Sequence, residues 1–135
     1  MGEGLLRASS FAPHPQPFSQ REKGDQDFMA ASRIEVFEQM LAGDPANTMV
    51  LFGLAKEYEK TGDDSKVIET LEKYLAAADD EGNAFGMLAR AFQRTNQRDR
   101  ARESYQRGIE AAASHGHPGM AEEYRTILAS EFSVP

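Results

Sequence analysis

The sequence predicts an all-α fold of about six antiparallel helices, built by repeating one helix pair. Three observations carry this. No proline occurs between Pro45 and Pro118, and alanine is frequent there, a composition that helices tolerate. Apolar residues recur at spacings of three and four without sustained alternation, which is the period of a helix rather than a strand. The chain also matches itself at a shift of 34 residues. Leu51 falls on Phe85, Leu54 on Leu88, Ala55 on Ala89 and Tyr58 on Phe92. Val67 falls on Ala101, Leu71 on Tyr105, Leu75 on Ile109 and Ala78 on Ala112. Large residues meet large and small meet small, as stacked equivalent helix pairs require.

Taken in order, the first 27 residues stand apart. Pro13, Pro15 and Pro17 interrupt any helix, and Ser, Gln, Gly and charge fill the rest, so 1–27 is expected to be a disordered tail ahead of a repeat domain at 28–132. PHPQPFSQREKG resembles translated repetitive intergenic DNA of bacterial genomes. Met29 is therefore the expected native start, which N-terminal mass spectrometry of the native protein tests.

The first periodic helix runs from Met29 to Ala42 and ends at Gly43-Asp44-Pro45. A second spans 48–60 and stops at Thr61-Gly62-Asp63, and a third reaches the break at Asp79–Gly82. The fourth spans 83–94 and closes at Thr95–Gln97, and the fifth ends between Ser114 and Pro118. Gly62 and Asn96 occupy equivalent turns, and these two residue types best tolerate the positive φ that ends a helix tightly. The last helix, 118–130, carries Met120, Tyr124, Ile127 and Leu128. Its register is offset because the loop SHGHPG is one or two residues longer than its counterpart.

A 34-residue helix-turn-helix unit with Leu-Ala, then an aromatic, then Gly-Asp at the turn resembles a tetratricopeptide repeat. Ala101, Tyr105, Gly108 and Ile109 fit the second helix of that pattern. Val67, Leu71, Tyr74 and Leu75 depart from it, because Tyr74 stands where a small residue is usual. Looser or rearranged packing is expected there, with Tyr74 as a candidate exposed anchor for self-association. The family's boundary proline is present as Pro45 and missing at Asp79 and Ala113. Phe37, Met40 and Leu41 lie 34 residues before Leu71, Tyr74 and Leu75, so the first helix reads as half of an incomplete unit. The resemblance implies two full units with flanking helices in a right-handed solenoid, its first helices lining a concave groove. On that face it places Met49, Phe52, Lys56 and Lys60, and then Asn83, Gly86, Arg90 and Arg94. Gly86 would leave a hollow beside Phe52. A groove carrying four cations and an apolar floor implies an acidic protein segment or a terminal carboxylate as ligand. The chaperone-tail binders of the family hold a carboxylate with a lysine, asparagine and arginine set, which Phe52 and Lys56 do not meet.

Charge and chemistry narrow the function further. The net charge of −7 argues against general nucleic-acid binding, which needs a cationic field. Residues 29–81 carry 5 basic and 12 acidic side chains, whereas 82–113 carry six arginines against Asp99, Glu103 and Glu110. That asymmetry supports a second reading, a scaffold that self-associates or joins a fixed partner subunit. A third reading uses the arginines in a regulatory partner of an enzyme or nucleic-acid complex. There is no cysteine, no apolar run of the roughly 20 residues a bilayer requires, and no phosphate-cradling loop, nucleophile elbow or dinucleotide fingerprint. His115 and His117 read as turn residues, with no carboxylate or thiol near them in sequence to complete a metal site. The expectation is a cytoplasmic, non-catalytic protein-interaction module that needs no cofactor.

Overall fold

The computed structural model describes residues 18–133. Among these there is no strand. The helices are α1 (Phe18–Gly43), α2 (Thr48–Thr61), α3 (Asp64–Ala77), α4 (Asn83–Arg94), α5 (Arg98–Ser114) and α6 (Pro118–Glu131). The extensive helix–helix contacts all join chain neighbours, the arrangement of a solenoid in which each unit covers only the next.

One boundary differs from expectation. α1 begins at Phe18, so residues 18–27 are helical and not part of an unstructured tail. The remainder of that tail, 1–17, lies outside the described residues. Gln, Arg, Glu and Lys dominate the extension, and no proline occurs between Pro17 and Pro45. Local propensity permits a helix there. Periodicity could not reveal it, because these residues form no apolar stripe.

The repeat is visible in the core. Leu54 and Leu88, Ala55 and Ala89, Tyr58 and Phe92, Val67 and Ala101, and Leu71 and Tyr105 are all buried. Ala55 and Ala89 are fully enclosed, as a close crossing of backbones requires. The turns repeat too. Gly62 has φ 80° and Asn96 has φ 62°. Asp63 N–H reaches back to the Tyr58 carbonyl at 3.0 Å, and Gln97 N–H to the Phe92 carbonyl at 2.8 Å. Both close the preceding helix by the same left-handed turn.

The α3–α4 connection works differently. Asp80 is buried and its carboxylate accepts from Gly82 N–H at 2.8 Å and Ala84 N–H at 2.9 Å. It thereby satisfies donors left open at the start of α4. Tyr74 corrects another expectation. It is half-buried, its ring lies 5.2 Å from that of Phe52, and its hydroxyl donates to Asp80 at 3.3 Å. The bulk that the pattern excludes is used to fill the seam between α2 and α3.

Candidate partner-binding groove

Helices α2, α4 and α6 each contribute three residues to a groove of about 430 Å³: Phe52, Lys56 and Glu59, then Asn83, Met87 and Arg90, then Met120, Glu123 and Tyr124. Phe52 is the hinge of this surface. Its half-buried ring is flanked by Tyr74 and carries the Lys56 ammonium 5.3 Å above its centre. Met49 is 85% exposed and lines a smaller, adjoining pocket with Phe52 and Tyr74. An apolar side chain so exposed beside an aromatic ring is a candidate anchor point.

The sequence-derived site divides under this geometry. Met49, Phe52, Lys56, Asn83 and Arg90 line connected pockets. Lys60 does not, and its ammonium contacts Glu57 at 3.5 Å. Arg94 is also withdrawn, held by Asp64 of α3 at 2.8 Å and Glu59 of α2 at 3.8 Å. Gly86 leaves no hollow, because the Tyr124 ring fills the space, wedged against Gly86 and Gly108. The Tyr124 hydroxyl donates to the Gly82 carbonyl at 2.9 Å. Lys56 and Arg90 thus remain as the groove cations with no ion-pair partner among the described residues.

Sequence reasoning missed Glu59, Met87, Met120, Glu123 and Tyr124 as groove residues. For Met120, Glu123 and Tyr124 the signal was the register of α6, whereas Glu59 and Met87 follow Lys56 and Asn83 by three and four residues on the same helix faces. His115 and His117 contact Asp79 at 3.0 Å and Glu81 at 2.6 Å, each 36 residues away, so the last unit is offset by two. The fold thus brings to the two histidines carboxylates that are distant from them in sequence. Each imidazole nevertheless meets a separate carboxylate. Among the described residues, no cluster of three or more His, Cys, Asp or Glu could hold a metal ion.

The arginines of α5 are largely turned to internal use. Arg98 donates to the Glu131 carbonyl at 2.6 Å and stacks on Phe132 at 4.7 Å. Arg102 reaches the Phe132 carbonyl at 3.3 Å. Together they satisfy carbonyls left open at the end of α6. Arg100 and Arg107 lie over Phe92 and Phe85.

A tetratricopeptide repeat model matches residues 84–115, which span α4 and α5. The chain is 30% identical over 95 residues to the TPR repeat-containing protein PA0015 of Pseudomonas aeruginosa, an overlap of 70% of this chain and 90% of that protein. The chain belongs to the tetratricopeptide repeat family. Two solved structures of MamA share its fold. One superposes with a TM-score of 0.58 at 22% identity, covering 87% of this chain and 77% of MamA. The other has a TM-score of 0.57 at 25% identity, covering 78% and 63%. As a tetratricopeptide repeat protein the chain is a protein–protein interaction or scaffold module. No helix among its described residues is long and apolar enough to cross a membrane.

Proposed function

We propose that this tetratricopeptide repeat chain is a non-catalytic cytoplasmic module that binds a segment of a partner protein along the face formed by α2, α4 and α6. The observation that carries this is the exposed Met49 beside the Phe52 ring, continuous with a groove whose two cations have no ion-pair partner among the described residues. The apolar pair offers desolvation energy, and Lys56 and Arg90 offer charge-assisted hydrogen bonds to a carboxylate. Glu59 and Glu123 share the groove, so a uniformly acidic ligand would meet repulsion as well as attraction. No cofactor, nucleic acid or membrane enters this reading.

The test is capture of partners from the native organism with wild type, Phe52→Ala, and Lys56→Glu combined with Arg90→Glu. Each variant is first checked for an unchanged helical circular-dichroism spectrum and melting point. Loss of the same partners from both variants is expected. Retention of every partner by both would overturn the reading.

A second reading rests on α1. Met29, Val36 and Met40 are 58%, 51% and 48% exposed and fall at spacings of seven and four, one stripe of the helix. A second copy of the chain could cover it. Sedimentation of wild type against Val36→Glu with Met40→Glu decides this: a concentration-dependent dimer lost in the variant supports it, and a wild-type monomer at high concentration removes it.

A further inference from the structure

The groove does not end at the cations. A second pocket shares Phe52, Asn83 and Met120 with the first, and its far wall is the turn carrying Asp79, Asp80 and Glu81. Asp80 is turned inward to hold the start of α4. Asp79 and Glu81 point outward, with side chains 88% and 59% exposed. Their histidine contacts occupy one oxygen each, Oδ2 of Asp79 and Oε1 of Glu81, which leaves the second oxygen of each open to a ligand. Phe52 therefore stands between a wall of carboxylates and a stretch where the cations Lys56 and Arg90 lie among Glu59 and Glu123. Carboxylates lie toward the start of α4, and Lys56 and Arg90 lie about one to two helical turns further along α2 and α4.

We propose that the partner segment has charges in order, with basic residues on one side of an apolar anchor and acidic residues on the other. It would lie in the furrow between α2 and α4 with its anchor on Phe52 and Met49, its cations toward Asp79 and Glu81, and its carboxylates toward Lys56 and Arg90. This rests on the groove reading above and specifies its ligand. Physically, a segment of one sign gains at one wall and loses at the other, whereas an ordered segment gains at both. Because the walls are solvent-exposed, each contact is individually weak, and selectivity comes from their sum.

A fluorescent peptide array with a fixed central phenylalanine tests this. Three residues on each side are basic, acidic or neutral in all combinations, so that both chain directions of the ordered pattern are represented. Wild type should bind the mixed-sign peptides about fivefold more tightly than the all-acidic or all-basic ones. Lys56→Glu with Arg90→Glu should move the optimum to all-basic peptides, and Asp79→Lys with Glu81→Lys to all-acidic ones. Phe52→Ala should weaken every class. If binding depends on Phe52 but same-sign peptides bind as well as mixed ones, or the variants do not switch preference, the charge order is wrong and the groove stands. If no peptide binds, or Phe52→Ala binds them all as wild type does, the groove reading fails and this inference fails with it.

Discussion

Two glycines and one tyrosine show how much a single side chain decides. A Cβ on Gly108 would sit 2.9 Å from Cε2 of Tyr124, and one on Gly86 would overlap the Tyr124 hydroxyl. Gly86→Ala gains about 1 kcal/mol of helix propensity, yet overpacking should leave it destabilised by about 1–3 kcal/mol in urea melts. Tyr124→Phe added to that variant removes the colliding oxygen and should recover part of the loss. Glycine at Gly62 is required for a different reason, its positive φ. Gly62→Ala should cost about 1 kcal/mol, while Asn96→Gly, at the equivalent turn, should be close to neutral. The Gly62–Asn96 equivalence was legible because a turn's backbone demand is local. The role of Gly86 was not, because it depends on a ring delivered by α6, 38 residues further along.

Between elements, hydrogen-bonded side chains add to the apolar contacts of the shared core. Arg33 of α1 makes two hydrogen bonds to Glu57 of α2, at 2.8 and 3.1 Å, and this bond holds the Glu57 carboxyl below its usual pKa. Nearby, the buried Tyr58 hydroxyl donates to Glu38 at 2.6 Å. Burial, then Glu38, pushes the phenol pKa upward. Removing the cation leaves an enclosed carboxylate with only Lys60 at 3.5 Å. Arg33→Ala should therefore lower the urea midpoint. Asp80→Ala opens two backbone donors at the start of α4 and should cost about 1–2 kcal/mol by the same measurement. Neither partner was visible from spacing, since Arg33–Glu57 and Asp80–Ala84 are not separated by the repeat length.

At the scale of the whole molecule, the turn before α4 and the turn before α6 are clasped by two histidine–carboxylate contacts, and this makes stability depend on pH. The His115 pKa is raised, first by the Ala111 carbonyl it bonds and then by Asp79. Its contribution is complete below its ordinary value of 6.5 and is lost as pH climbs through the raised one. Glu57 and Glu81 are lowered, chiefly by bonds to Arg33 and His117. Their contributions are present above 4.5 and are lost as pH falls through the depressed values. Stability should peak between these limits. In thermal melts, the advantage of wild type over His115→Gln with His117→Gln should be largest near about pH 5–6 and shrink by about pH 8. An advantage that grows toward pH 8 would refute the clasp. The same clasp seats α6, which supplies a third of the groove, so the binding surface belongs to the stack and not to one unit.

What the sequence determined by itself was the repeated unit: the helix period, the 34-residue echo, the small residues at crossings such as Ala55 and Ala89, and the turn residues. Those properties are local or recur at fixed spacing, so one chain read along its length exposes them. The tertiary structure decided which charges were spent and which remained. Lys60 and Arg94 look like Lys56 and Arg90 in sequence, but Lys60 pairs with Glu57 one turn back on its own helix, and Arg94 meets Glu59 and Asp64 only once α2, α3 and α4 are stacked. It also decided that Tyr74 fills a seam, that Tyr124 closes over Gly86, and that Asp79 and Glu81 face the groove. A charge acts on its neighbours in space, and only stacking brings those neighbours together.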